Sequence, residues 1–290
     1  MVNIIHDINK MTETVKGARK EGLSIGLVPT MGALHSGHLS LIQQAANECD
    51  LVVVSIFVNP IQFDDKNDFT KYPKTLDSDA LAAEDAGANI IFAPEASDMY
   101  PEGFSTFVDM TGISDKLCGA KREAHFRGVC TVVTKLFNIT LPDRAYFGQK
   151  DAQQLAVVNK MTRELSMAIK IVGCPTIREE DGLAMSSRNA RLGTIERTAA
   201  RCVYASLCDG EALFASGEDS YEKLCDAIRK RIESEPIARI DYIEIVDPIS
   251  FEPADPVKEG ALATVAVYFG EVRLIDNIIF QQEKTLLFTK

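Results

Sequence analysis

The stretch Leu51-Val52-Val53-Val54-Ser55-Ile56-Phe57 constrains the fold of this chain more than any other. It is rich in β-branched residues, apolar on both alternating faces, and too short for a typical helix. It therefore reads as a strand buried on both sides, which requires helices above and below it. The flanking sequence supplies them. Leu39–Cys49 has amphipathic helical spacing, and Leu76–Ala86 carries Asp77 and Asp79 in its first turn, where acidic side chains suit the helix dipole. Ser24–Val28, Asn89–Phe92, Ala145–Phe147 and Ala168–Val172 read as further short strands, with helices expected over Phe126–Ile139 and Asp151–Leu165. Such alternation implies an α/β fold, a Rossmann-like doubly wound parallel sheet. Ligands of these sheets bind outside the carboxyl ends of the strands. The loops leaving those ends are where function is expected.

The pattern changes near Gly173–Arg178. Helical stretches Thr194–Ala215 and Tyr221–Ser234 follow, then strand-like Tyr242–Val246, Ala263–Tyr268 and Val272–Ile275, the last two joined by the turn Phe269-Gly270-Glu271. We expect a Rossmann-like first domain over residues 1–176 and a smaller C-terminal α+β domain over 177–290.

Charge narrows the classes of partner. Lys and Arg number 31 against 42 Asp and Glu, a net charge of −11. A nucleic-acid binder needs a basic face, so no nucleic-acid partner is expected. The longest near-apolar run, Leu51–Val58, is far below the roughly 20 residues of a membrane span. The start MVNIIHDINK does not read as a signal peptide. The seven cysteines form no C-x-x-C pair and mostly sit among apolar residues, which suggests reduced buried thiols in a cytoplasmic protein.

The chemistry concentrates after the first strand, in Pro29-Thr30-Met31-Gly32-Ala33-Leu34-His35-Ser36-Gly37-His38. Gly32 and Gly37 allow tight turns and close approach to a ligand. The helix that follows offers unpaired N–H groups and a positive dipole end to an anion. Two of the chain's four histidines stand there three residues apart and add donors. A nucleotide phosphate fits this set. A pair of surface histidines is the plainer alternative, and a metal site lacks a third ligand nearby.

This element resembles the H-x-G-H motif of a nucleotidyltransferase superfamily that includes class I aminoacyl-tRNA synthetases. Further segments make the chain similar to the pantoate–β-alanine ligase family. These are Val58–Phe63, Tyr72–Leu76, His125–Val129, Phe147–Gln154 and Asp181–Asn189, in order along the chain. The resemblance implies an ATP-dependent ligase that joins pantoate to β-alanine through pantoyl adenylate, releasing pyrophosphate and AMP. It also implies Mg²⁺ and a homodimer. The nucleotide would lie against Met31, Gly32, Ala33, Leu34, His35, Ser36, Gly37 and His38, then Gly148, Gln149, Lys150 and Asp151, then Ile177, Met185, Ser186, Ser187 and Arg188. His35, His38, Lys150, Ser186, Ser187 and Arg188 would act on the phosphates, with His38 as proton donor. Gln62, Gln154 and Asn59 would bind pantoate or orient substrate. No metal ligand is assigned.

Some roles stay open at this level. Asp151 could meet ribose hydroxyls or cap the following helix, Asp79 could meet Mg²⁺ or cap its own, and Arg127 could steady a carboxylate or pair on the helix surface. Glu123-Ala124 stands where relatives carry a turn, and Ala190-Arg191-Leu192 departs from the usual residues after the serine motif. Two other classes compete with the ligase: an adenylyl- or cytidylyltransferase using the same H-x-G-H element, and a non-catalytic nucleotide-binding module. A tRNA synthetase is disfavoured by length and acidity.

Overall fold

The structure is a computed structural model that describes residues 2–63, 69–70, 72–122 and 124–281. The chain divides into two compact units, Met1–Ile177 and Arg178–Lys290.

In the first unit, β1 (Asn3–Ile5), β2 (Ile25–Thr30), β3 (Leu51–Ile56), β4 (Ile90–Phe92), β5 (Arg144–Gly148) and β6 (Lys170–Cys174) form one sheet in the order β1-β4-β3-β2-β5-β6. Every pairing is parallel, with Val28 opposite Val54 and Leu27 opposite Ala145. Helices α1 (Ile8–Lys20), α2 (Ser36–Glu48), α3 (Leu76–Asp85), α4 (His125–Thr140) and α5 (Ala152–Glu164) accompany it. Val52 and Val54 of β3 pack with Leu41, Ile42 and Ala45 of α2 and Ala80 and Ala83 of α3. The expected doubly wound sheet is what forms.

β2 has β3 on one side and β5 on the other, and the strand order reverses there. The carboxyl ends of β2 and β5 therefore flank the crevice where the helices on either side diverge, the place such sheets use for ligands.

The sequence pattern does not reveal β1 and α1. Only Met11 and Val15 of α1 are buried, among charged residues, so no clear period emerges. Asp7 caps the helix, accepting from the backbone N–H of Lys10 at 2.7 Å.

The second unit carries β7 (Ala238–Val246), β8 (Leu262–Phe269) and β9 (Val272–Ile279) as an antiparallel meander, with Phe269 opposite Val272 at the hairpin. Helices α6 (Thr194–Ala199), α7 (Cys202–Ala215) and α8 (Tyr221–Glu233) belong to the same unit. The expected single helix Thr194–Ala215 is broken at Ala200–Arg201, where the ladder tightens to a bond from Val203 N–H to the Ala200 carbonyl. No helix-breaking residue causes this. The bend brings Ala199, Ala200, Val203 and Leu207 into one core with Ile228, Val265 and Phe280, so packing overrides local preference. Among the described residues, no helix is long and apolar enough to cross a membrane.

Candidate active site

The loop after β2 is built to hold a particular shape. Gly32 has φ +84° and Ala33 has φ +50°, the left-handed region that an L-alanine rarely enters. Asp79 of α3 holds it there. Its carboxylate, 3% exposed, accepts from the N–H of Ala33 at 2.9 Å and of Leu34 at 2.8 Å, and from the Thr75 hydroxyl at 3.0 Å. Asp79 is thus the anchor of the loop, with both oxygens engaged. Neither helix capping nor metal binding is needed to explain it.

His35 and His38 form a reciprocal cap at the start of α2. His35 Nδ1 accepts from Gly37 N–H at 3.2 Å, and His38 Nδ1 accepts from His35 N–H at 3.4 Å. A backbone N–H can only donate, so each Nδ1 is unprotonated and the neutral ring carries its proton on Nε2. The ring centroids lie 4.1 Å apart. Burial, then the Lys150 ammonium, pulls the pKa of His35 down to about 4, against a smaller opposing effect of Asp151. Burial, then the neighbouring His35, pulls His38 down to about 3. Both rings are therefore neutral N–H donors at ordinary pH. No described residue accepts from either Nε2.

Lys150 sits in the 3-10 turn Gln149–Asp151 directly after β5, across the switch point from the histidine loop. Asp151 is exposed and occupies the N-cap position of α5, yet its side chain makes no capping bond. The capping alternative for Asp151 is therefore not realised.

Behind the loop lies a buried amide pair. Asn59, 1% exposed, donates from Nδ2 to Gln62 Oε1 at 2.9 Å and to the Gly128 carbonyl at 3.1 Å. Its Oδ1 accepts from the Tyr100 hydroxyl at 2.7 Å. Gln62 Nε2 reaches Met31 Sδ at 3.1 Å, and the Gln62 carbonyl faces Arg122 Nη2 and His125 Nδ1 at 3.2 and 3.1 Å. A Cβ at Gly128 would lie 2.6 Å from the Ile61 carbonyl oxygen, so only glycine lets α4 back onto the Pro60–Gln62 turn. Gln154, half-buried in the first turn of α5, makes no side-chain hydrogen bond among the described residues. Its neighbour Gln153 is wholly structural, donating to the carbonyls of Ile113 and Lys116 and accepting from Cys118 N–H. Arg127 is exposed and stacks 4.0 Å over the Phe107 ring.

The family model described as pantoate-beta-alanine ligase matches residues 3–279. This chain belongs to the pantoate-beta-alanine ligase family. Pantothenate synthetase of Clostridium acetobutylicum is 53% identical over 276 residues, covering 95% of this chain and 98% of the relative. That of Geobacter sulfurreducens is 50% identical, covering 98% and 100%. The crystal structure of pantothenate synthetase from Thermus thermophilus superposes with a TM-score of 0.91 at 40% identity, over 96% of this chain and 99% of that one. Pantoate-beta-alanine ligase from Francisella tularensis, solved in complex with beta-gamma ATP and beta-alanine, gives 0.79 at 34% identity, over 96% and 98%.

Within this ligase chain, the serine motif falls in the second unit. Ser186 caps the 3-10 turn Ser187–Arg191, its hydroxyl accepting from Arg188 N–H at 3.2 Å. Asn189 ties the turn to Glu179 and to the Ala184 carbonyl. Arg178, not singled out from sequence, pairs bidentately with the 2%-exposed Asp276 at 2.6 and 3.0 Å, donates to the Gly182 carbonyl, and stacks 3.7 Å over Tyr204. It fastens the segment leading to the serines onto β9. Met185 is half-buried beside them, and Ile177 ends the first unit. Glu123 of the atypical turn lies outside the described residues. The roles of Asp79, Tyr100 and Arg178 escape sequence reading because each acts through a distant partner, and no local pattern marks such a residue.

Among the described residues no group of three or more His, Cys, Asp or Glu could hold a metal ion. The seven cysteines are free thiols, with Cys49 and Cys208 partly exposed and the others buried.

Proposed function

We propose that this chain is an AMP-forming ligase that condenses pantoate with β-alanine. A pantoate carboxylate oxygen attacks the α-phosphorus of ATP, the α–β bridging bond breaks, and pyrophosphate leaves. The β-alanine amine then attacks the acyl carbon of pantoyl adenylate, AMP leaves, and an amine proton is lost to solvent. The observation that carries this reading is the pair of neutral imidazoles at the start of α2, Nδ1 turned inward and Nε2–H outward, beside Lys150 at the sheet's switch point.

Each charge that develops meets a fixed donor. His35 and His38 donate Nε2–H bonds to phosphoryl oxygens, the first turn of α2 adds backbone N–H groups, and Lys150 supplies the positive charge. Because His38 begins neutral, it acts in this reading as a hydrogen-bond donor before it can act as an acid. Met31–Leu34 and Gly148–Asp151 line the nucleotide, with Asp151 free to take ribose hydroxyls. Gln62 and Gln154 hold pantoate, whose hydroxyls and carboxylate suit amides that donate and accept. Ser186, Ser187 and Arg188 are assigned to the phosphates, and Ile177 and Met185 to the adenine, on the family motif alone. ATP enters as its Mg²⁺ complex, the metal being part of the substrate. We propose residues 1–176 as the ATP- and pantoate-binding domain, 177–290 as a lid, and a cytoplasmic homodimer as the working form.

Pantoate-dependent exchange of labelled pyrophosphate into ATP tests the reading. A ligase of this kind exchanges label only with pantoate present and releases AMP only when β-alanine is added. Exchange without pantoate would favour a simple nucleotidyltransferase, and ATP binding without exchange a non-catalytic module. His38→Ala should cut exchange by about 10²-fold or more with the fold intact, the usual scale for a lost oxyanion donor.

A further inference from the structure

We propose that Tyr100 is a positioning residue for pantoate, holding the Asn59 amide in the orientation that turns the nitrogen of Gln62 toward the substrate. The Gly128 carbonyl is an acceptor only, so the Asn59 atom facing it must be Nδ2. The same nitrogen faces Gln62, so the Gln62 atom opposite it must be Oε1. Asn59 Oδ1 is then left to face Tyr100, whose hydroxyl must donate. Every choice in the chain is forced, and its last member is Gln62 Nε2.

That nitrogen has two protons. One points at Met31 Sδ, a weak acceptor that a substrate oxygen can replace, and the other meets no partner among the described residues. Turned the other way, Gln62 would present an oxygen, which repels a carboxylate and can only accept from a hydroxyl. Asn59 is 1% exposed with all its hydrogen-bonding groups engaged inside the protein, so it too orients rather than binds. The Tyr100 ring is held independently of its hydroxyl, between Phe57 and Phe104 at 6.1 and 5.0 Å between centroids. Burial raises its pKa, so the hydroxyl stays protonated and able to donate.

Removing the hydroxyl leaves Asn59 Oδ1 buried without a donor, and the amide pair is then held in its orientation by the Gly128 carbonyl alone and is less firmly fixed. Tyr100→Phe should therefore raise the KM for pantoate about tenfold, the size of one hydrogen bond of ordinary strength. The KM for ATP should stay close to wild type, and the thermal midpoint should fall by only a few degrees, the cost of one unpaired buried oxygen, because the ring contacts remain. The inference rests on Gln62 being a pantoate ligand, so the experiment is a double-mutant cycle of Tyr100→Phe with Gln62→Ala, read as pantoate and ATP KM values in the exchange assay. The expected result is that both single variants weaken pantoate alone and that the double variant is no worse than Gln62→Ala. If the two effects multiply, or Tyr100→Phe leaves pantoate binding unchanged while Gln62→Ala weakens it, Tyr100 does not act through Gln62 and the inference is wrong. If Gln62→Ala itself leaves pantoate binding unchanged, the underlying ligand assignment fails first and takes the inference with it. A fall in the thermal midpoint with equal losses for ATP and pantoate would make Tyr100 a merely structural residue, which also overturns it.

Discussion

Replacing Asp79 by asparagine tests the origin of the phosphate loop's shape. The side chain keeps its size but has a single acceptor oxygen, and whichever way it turns, an NH₂ group now faces the N–H of Ala33 or Leu34. Both bonds are short, 2.9 and 2.8 Å, and their acceptor is only 3% exposed. A hydrogen bond to a charged group contributes about 1.5–3 kcal/mol, and a buried group left unpaired costs about 1–3 kcal/mol. These terms overlap, so we expect a loss of roughly 2–4 kcal/mol. The left-handed backbone at Ala33 adds to the drive, since that conformation itself costs about 1–2 kcal/mol and is released when the anchor fails. In a unit of this size, each kcal/mol shifts the midpoint by roughly 2–4 °C, which places the fall at roughly 4–16 °C. Thermal unfolding by circular dichroism measures it, and exchange kinetics should show weaker ATP binding that excess Mg²⁺ does not restore. An unchanged midpoint, with activity recovered by excess Mg²⁺, would instead put Asp79 on the metal and refute the anchoring role.

Other consequences follow from the same geometry. His35 and His38 titrate near 4 and 3 when folded and near 6.5 when unfolded, so the unfolded chain binds more protons below about 6.5. Their stabilising contribution is complete above that pH and is lost as pH falls through about 4, and a His35→Gln/His38→Gln variant should show a flatter decline in thermal midpoint over that range. Nitrogen NMR of the imidazoles at pH 6 should likewise show both rings neutral with the proton on Nε2. Gly128→Ala places a methyl 2.6–2.8 Å from backbone atoms of Ile61 and Gln62, so it should cost about 1–3 kcal/mol in urea unfolding and weaken pantoate more than ATP. Arg178→Met leaves Asp276 buried without its partner and should destabilise the second unit by about 3–5 kcal/mol, with much of the loss recovered when Asp276→Leu is added.

Much of this was legible in the residues themselves. The apolar run over β3, the glycines and histidines after β2, and the strand-then-Lys150 pattern of β5 are local signals, because strand burial and helix N-termini are properties of a few consecutive residues. They sufficed for the doubly wound class and for the loops that carry the chemistry. Other features were illegible for a definite reason. The break in Thr194–Ala215 comes from the need of four apolar side chains to reach one core, and α1 hides its two anchors among charges.

The amino-acid sequence by itself determined which groups are present and which strand ends they follow. Only the tertiary structure decided their states and directions: that Asp79 serves the loop, that Arg178 pairs with Asp276, and which end of Gln62 faces outward. Those properties depend on partners 40 to 100 positions away along the chain, brought within hydrogen-bond distance by the order of the strands. A hydrogen bond acts over about 3 Å of space, whatever the separation in sequence.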